Sequence, residues 1–509
     1  MKPNGFNQHI PDILDCLAQL SNDEVPTPPR LARAMLEILP SEVWSNPDYR
    51  WLDPFCKSGI FLREIASRLL VGLEEWEPDF EKRREHIFRN MLYGTSITAM
   101  TGIVSRRSLY CSRDASGDQS IVRFDTESGN VPFVPAQHTF GNDGRCAVCG
   151  APEGLERGAR RENYAYSFIH GTYPTKEMSD MKFDVIVGNP PYQLKDEGHG
   201  TSAGPLYQYF VERAITLAPR YVVMITPSRW FAGGKGLDTF RAKMLSDKRI
   251  RYLVDYPKLY DGFPGQKIRG GVSYFLWDRA YNGPCTIQTM WDGVPVGPPA
   301  TRSLDAFDVL VRRNEAISIL EKVRVHGEQT LANRVSSRKP FGFPTNFHGD
   351  SSVKGLSSPV KLFGSQRISW VERTQIRTNE AWVDDWKVLV TRVQGTSAAV
   401  ETMFLSRPIL AGPGEACTET YLVAGRFDAE GEAARYAAYL RTRFVRFFVS
   451  LRKPTQDAAR GVYGFVPDVP LDRDWTDQLL YERYGLTEDE IEFIESQVKP
   501  MPPQNGELE

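Results

Sequence analysis

The chain has 509 residues, of which 41% are hydrophobic and 25% charged, and its formal net charge is −2. That length allows two to four domains with a large core, and the composition is that of an ordinary globular protein rather than a disordered or fibrous one. The near-zero charge excludes a chain that is basic overall, so a nucleic-acid role needs local basic patches.

No apolar run is long enough to span a bilayer, and the opening MKPNGFNQHIPDILD lacks the apolar centre of a signal peptide. A cytoplasmic location is the expectation. The seven cysteines are scattered apart from one Cys-x-x-Cys. Reduced thiols with a metal site fit this better than a disulfide framework.

In chain order, residues 9–20 suit a short helix. Val25-Pro26-Thr27-Pro28-Pro29 then leads into Leu31, Met35, Leu36 and Leu39 at helical spacing, with Thr27 placed to cap and the prolines suited to a first turn. Trp51-Leu52-Asp53-Pro54-Phe55-Cys56-Lys57-Ser58-Gly59 runs into a helix carrying Ile65, Leu69 and Leu70. Strand, tight loop and helix together bring backbone N–H groups and a helix N-terminus up to a ligand, and Gly59 permits close approach. A charged helix is expected around residues 74–90, followed by a second strand and loop, Met91 to Thr98.

Residues 106–165 interrupt the α/β alternation with a polar insertion. Its Cys146-Ala147-Val148-Cys149-Gly150 is a knuckle in which two thiolates can share one tetrahedral ion. Cys111 and His138 complete a closed Cys₃His zinc site, with His170 as the rival for the histidine position. A metal staple suits an insertion with little core of its own. Tyr164 to His170 then reads as a strand.

Phe183-Asp184-Val185-Ile186-Val187-Gly188 is short, apolar and β-branched, as expected of a strand buried on both faces of a parallel sheet. Asn189-Pro190-Pro191-Tyr192 follows directly. The prolines stop the strand and stiffen the loop at the carboxyl edge, where open α/β sheets bind ligands. Asn189 Oδ1 and the Pro190 carbonyl accept hydrogen bonds, and Tyr192 offers a stacking face. This combination suits a flat ring bearing an amino group. Residues 193–204 read as a mobile loop over that site. Strands follow at Tyr221–Ser228 and Ile250–Val254, and the Asp261-Gly262-Phe263-Pro264 loop feeds a last strand at Gly271–Trp277.

These stretches resemble the gamma class of N6-adenine DNA methyltransferases of the restriction-modification type, over residues 20–280. The order is that of the family: Thr-Pro-Pro segment, cofactor loop, Asn-Pro-Pro-Tyr, long C-terminal remainder. The resemblance implies an α/β, Rossmann-like S-adenosylmethionine-dependent methyltransferase sheet and a C-terminal α+β target-recognition region, to which the cysteine and histidine pattern adds the small zinc-bound insertion. It implies a catalytic domain at 1–295 and a DNA-binding region at 296–509. It also implies a cofactor site at Thr27, Asp53, Pro54, Phe55, Cys56, Ser58, Gly59, Ser96, Ile97 and His170, and a catalytic site at Asn189, Pro190, Pro191 and Tyr192, with Phe263 as a second aromatic face against a flipped adenine. Three positions depart from the family pattern. Lys57 replaces a glycine of the cofactor loop, Ser96 the acid that binds the ribose, and His170 an acid near the cofactor's adenine.

The implied partners are double-stranded DNA and a separate restriction endonuclease or helicase subunit, with no membrane. Basic-aromatic stretches at Arg334–Phe347 and Arg435–Arg460 are the expected phosphate contacts. Three rival readings share these residues. Glutamine methyltransferases also use Asn-Pro-Pro-Tyr but are shorter; cytosine-N4 enzymes more often begin the motif with Ser; and a DNA-binding module with a degenerate methyltransferase domain is the rival from another class.

Overall fold

The computed structural model describes residues 26–134, 138–148, 153, 166–171, 181–192, 205–233, 236–258, 260–264, 268, 270–393, 404–453 and 457–501. The expected helix at 9–20, the loop at 193–204 and Cys149 lie outside the described residues. The chain divides into two compact units, residues 1–308 and 309–509.

Residues 1–308 are built on an eight-stranded, mostly parallel sheet ordered β2-β1-β3-β4-β6-β5-β7-β8. The strands are β1 (Trp51–Cys56), β2 (Leu92–Ser96), β3 (Val185–Gly188), β4 (Tyr221–Pro227), β5 (Ile250–Tyr256), β6 (Val272–Asp278), β7 (Cys285–Trp291) and β8 (Val294–Arg302). The expected domain boundary at 295 falls inside β8. Every residue of β1, β3 and β4 is buried, as the unbroken apolar runs require of strands covered on both faces. β1 pairs in parallel with both β2 and β3, and β3 with β4. β6 lies antiparallel between β4 and β5.

This order sets the position of the site. The chain leaves β1 for β2 on one side and returns to β3 on the other. The carboxyl ends of β1 and β3 therefore flank a topological switch point, the crevice where open α/β sheets take ligands. Asp53-Pro54-Phe55-Cys56 ends β1, and Asn189 follows β3.

Several local expectations change. The first described helix, Pro29–Glu37, has Pro28 as its N-cap and no side-chain cap. Thr27 stands one residue too early to cap, and its hydroxyl is engaged elsewhere. Residues Tyr166–Ile169 form a short helix, not a strand. The charged segment at 74–90 resolves into an α-helix at Phe80–His86 and a π-helical turn at Ile87–Met91.

Residues 309–509 hold two three-stranded sheets, ordered β10-β9-β13 and β12-β11-β14. Their strands are β9 (Pro359–Gly364), β10 (Arg367–Glu372), β11 (Trp386–Thr391), β12 (Ile409–Ala411), β13 (Glu415–Cys417) and β14 (Tyr421–Phe427). Helices Glu430–Arg441, Arg443–Arg452, Asp477–Arg483 and Glu488–Gln497 follow. In the two basic-aromatic stretches most aromatics are buried, while Arg334, Arg338, Lys339, Arg435 and Arg460 are exposed. Arg334 makes two bonds to the Asp468 carboxylate at 2.7 and 2.8 Å, Arg338 pairs with Glu419, and Phe341 and Phe343 are core residues. Arg446 is buried and donates to the carbonyls of Arg441 and Lys499. Arg443 pairs with Glu495 at 2.6 Å, and Arg460 donates to the Ala332 carbonyl. Arg446 is thus taken up by the fold, whereas Arg334 and Arg338 carry ion pairs and remain exposed.

Candidate functional site

The loop after β1 is shaped around Asp53. Its Oδ1 accepts from the Phe55 N–H at 3.0 Å, and its carbonyl accepts from the Cys56 thiol at 3.3 Å. The register with β2 slips between Asp53 and Cys56, which turns the end of the strand out of the regular ladder. Burial raises the Asp53 carboxyl to about 6, although the Phe55 N–H, the Cys56 thiol and the Lys57 charge all pull it back down. Lys57, the departure in this loop, is itself buried. The cation serves the loop's own carboxylate, and the Lys57 carbonyl accepts from Ser105 Oγ at 3.3 Å. Gly59 caps helix Ile60–Gly72 with φ +71°, and a Cβ there would sit 2.9 Å from the Ser105 carbonyl oxygen. Only glycine meets both demands. Pro54 and Cys56 are buried, and Ser58 is partly exposed.

The end of β3 is pressed against this loop. A Cβ on Gly188 would lie 2.7 Å from Phe55 Cδ2 and 3.3 Å from Asp53 Oδ1. Asn189 comes next and is buried. Its Nδ2 donates to Thr27 Oγ1 at 3.1 Å. That bond sets which end of the amide faces Thr27 and turns the acceptor oxygen onto the other branch. Pro190 is buried, while Pro191 and Tyr192 are partly exposed. The Tyr192 carbonyl accepts from the Leu206 N–H at 3.1 Å. The Tyr192 hydroxyl is buried with no partner among the described residues, and burial pushes its pKa up.

Tyr192 and Phe263 meet edge to face, with centroids 6.4 Å apart and planes at 81°. Phe263 is part of the hydrophobic core and backs Tyr192 with its edge rather than facing it across a gap. Its loop is tied to the Thr27 segment, since Arg30 Nη2 donates to the Asp261 carbonyl at 2.7 Å.

The remaining expected cofactor residues lie in different surroundings. Ser96 is fully buried; a Cβ on Gly102 would come within 3.1 Å of its Oγ, which has no partner among the described residues. Ile97 is also buried. His170 follows helix Tyr166–Ile169 and packs against the insertion, its Nε2 3.7 Å from Cys146 Sγ and its ring edge-on to His138 at 4.9 Å. The potential ligand atoms of His138, Cys146 and His170 all lie within 4.8 Å of one another. Cys111 is exposed at the C-cap of helix Ala99–Tyr110 and is not one of this group.

One pair escaped the sequence reading. Ser228 Oγ donates to Asp255 Oδ1 at 2.8 Å, and both residues are buried at the carboxyl ends of β4 and β5. The available signal was an aspartate near the end of a strand, directly after Leu253 and Val254. In sum, the carboxyl edge presents a buried amide, backbone carbonyls and one aromatic ring beside a carboxylate-braced loop. Such a set holds an amino group by accepting its protons and supports a planar ring.

Comparison with known proteins shows what the chain is similar to. A family model for the Eco57I restriction-modification methylase matches residues 90–263. An uncharacterized adenine-specific methylase of Mycoplasma pneumoniae (strain ATCC 29342 / M129) is 38% identical over 307 residues, covering 55% of this chain and 72% of that protein. Among solved structures, the cryoEM DrdV–DNA complex aligns with a TM-score of 0.47 at 12% identity, over 89% of this chain and 56% of that one. The Type IIL restriction-modification enzyme MmeI in complex with DNA gives 0.47 at 11% identity, over 89% and 65%. The chain therefore spans less than two thirds of the length of either solved structure.

Proposed function

The chain belongs to the adenine-specific methylase family, and from that membership we propose that it transfers a methyl group to the 6-amino group of adenine in double-stranded DNA. The observation that carries the reading is the Asn189 amide, held by Thr27 at the edge of β3, with Gly188 packed onto the Asp53 loop. An adenine inside a duplex cannot reach such an edge, so the base is extruded first. Tyr192 stacks on it. Asn189 Oδ1 and the Pro190 carbonyl accept its two amino protons. Those bonds draw the nitrogen towards tetrahedral geometry and expose its lone pair. Positioning and electrostatics carry the rate, and no side-chain nucleophile takes part. For a base to be stacked on both faces, Phe263 has to turn from its edge-on contact with Tyr192.

S-adenosylmethionine, the methyl donor this reaction needs, supplies an electrophilic methyl group on a sulfonium. The residues at the switch point fit it: the crevice is kept narrow by the absence of a Cβ at Gly188, and the Asp53 loop leads into a helix N-terminus. Thr27, Asp53, Pro54, Phe55, Cys56, Ser58 and Gly59 are the residues that hold it. Ser96 and Ile97 support the loop from beneath. Residues 309–509 read the target sequence, and a nuclease or helicase subunit acts alongside in a restriction-modification setting. The cysteine and histidine side chains of the insertion are of the kind that hold structural zinc.

The test is transfer from labelled S-adenosylmethionine into unmethylated DNA, with nucleoside analysis of the product, for wild type and Asn189→Ala. N6-methyladenine from wild type alone supports the reading. Cofactor binding without transfer to DNA of diverse sequence points to another substrate.

A further inference from the structure

We propose that His138, Cys146 and His170 bind one zinc ion, and that this ion anchors the aromatic wall behind the Asp53 loop. Two stretches of chain converge here. A hairpin brings His138 and Cys146 together: Phe140 bridges Cys146, the Ala147 N–H donates to the Thr139 carbonyl, and the Gly141 N–H to the Arg145 carbonyl at 2.8 Å. His170 arrives from the end of helix Tyr166–Ile169. Cys146 is buried and both histidines are partly so.

The Cys146–His170 separation fits two ligands of a tetrahedral centre, with His138 close enough to close on the same ion. Zn–S near 2.3 Å and Zn–N near 2.0 Å at tetrahedral angles put a sulfur and a nitrogen about 3.6 Å apart. Cys146 Sγ and His170 Nε2 are 3.7 Å apart. A thiol–imidazole hydrogen bond accounts for one such contact. It does not account for a second imidazole whose nitrogen lies within 4.8 Å of both groups. Two imidazoles and a thiolate form a borderline-soft set that suits zinc rather than magnesium or calcium. Cys111 has no part in the site.

The ion has structural work to do. A helix of four residues is far too short to persist by propensity. Phe168 of that helix meets the Phe55 ring edge-on at 5.5 Å, and Phe210 meets Phe55 at 5.1 Å. Fixing His170 therefore fixes Phe168 against the residue whose N–H is held by Asp53. This second half of the proposal rests on the cofactor reading of that loop; the metal site itself does not.

The experiment uses the purified full chain. Zinc is counted by mass spectrometry, cobalt-exchanged protein is scanned for a thiolate-to-cobalt charge-transfer band, and S-adenosylmethionine affinity is measured by calorimetry. About one zinc per chain is expected in wild type and Cys111→Ser, with roughly a tenfold loss in Cys146→Ser and His170→Ala. His170→Cys, which keeps a ligand, restores the metal. Wild type without zinc or a cobalt band, retention of zinc by Cys146→Ser, or its loss from Cys111→Ser overturns the site. Removal of zinc from wild type by a chelator, and His170→Ala, are each expected to weaken cofactor binding about tenfold, on the scale of losing a supporting contact, with His170→Cys rescuing it. Loss of zinc with unchanged affinity overturns the anchoring. Wild type that binds zinc but no cofactor overturns the functional reading and leaves the metal site standing.

Discussion

Asn189 Nδ2 donates to Thr27 Oγ1 across 162 residues of sequence. The bond joins the start of the described chain to the end of β3 and sets the direction of the amide. Thr27→Val keeps the shape and removes the acceptor. The amide then loses its orientation, and an Nδ2 donor is left unsatisfied in a buried position, which costs about 1–3 kcal/mol. The expected outcome is a fall in kcat of about tenfold or more, while Thr27→Ser stays near wild type. Steady-state methyl transfer with saturating cofactor checks it; equal kcat in both variants would show that Thr27 does not orient Asn189.

Gly188 is held to glycine by packing rather than by an unusual backbone angle. A Cβ would stand 2.7 Å from Phe55 Cδ2, in a ring already wedged between Phe168 and Phe210. Such overpacking costs about 1–3 kcal/mol. Gly188→Ala is expected to lower the unfolding free energy by that much, read as a fall in the urea midpoint, and to weaken cofactor binding, because the ring it displaces belongs to the Asp53 loop. A midpoint within error of wild type would mean that β1 and β3 separate more easily than this contact implies.

How much was legible beforehand depended on whether the physics was local. The β3 run with Asn189 to Tyr192, and the strand-loop-helix around Gly59, are each encoded within about a dozen consecutive residues, and both form as expected. The Thr27 hydroxyl reads as a helix cap locally, yet its partner lies on β3. Arg334 and Arg338 read as phosphate contacts because Asp468 and Glu419 are too remote in sequence to be paired with them. Tyr164 to His170 has the alternation of a strand, but its described part is a helical turn packed on Phe55. Burial of Ser96 follows from Gly102 on the next helix, which the periodicity of β2 alone does not reveal.

Asp53 makes stability depend on pH in an unusual direction. Its carboxyl is raised from 3.8 to about 6, chiefly by burial. The folded state therefore holds its proton more tightly than the unfolded state. The associated stabilisation is complete below pH 3.8 and is lost as pH rises through about 6. Asp53→Asn lacks this titration. Urea unfolding of both proteins between pH 4.5 and 7.5 is expected to show wild type losing stability relative to Asp53→Asn as pH rises, by on the order of 2–3 kcal/mol at most. A difference that grows in favour of wild type over that interval would show that the Phe55 N–H and Lys57 outweigh burial.

Lys387 on β11 is a buried cation of a different kind. Its Nζ donates to the carbonyls of Val383, Asp385 and Gly412 at 3.1, 2.7 and 3.0 Å, tying β11 to the turns around it. Burial lowers its pKa to about 8, while Asp385 and Glu415 pull it upward. Lys387→Met fills the same volume but takes the Nζ donor from the Asp385 and Gly412 carbonyls, while Val383 keeps the Gly414 N–H. A buried acceptor left unsatisfied costs about 1–3 kcal/mol. The variant is expected to unfold residues 309–509 at lower urea, read by the fluorescence of Trp386 beside it. The depressed pKa also fixes the sign of the pH effect: the stabilisation tied to this titration is present above the unfolded value of 10.5 and is lost as pH falls through about 8. Wild type should therefore hold a larger advantage over Lys387→Met at pH 9.5 than at pH 7.5. An advantage that shrinks on the alkaline side would show that the three carbonyls stabilise the ammonium more than burial disfavours it.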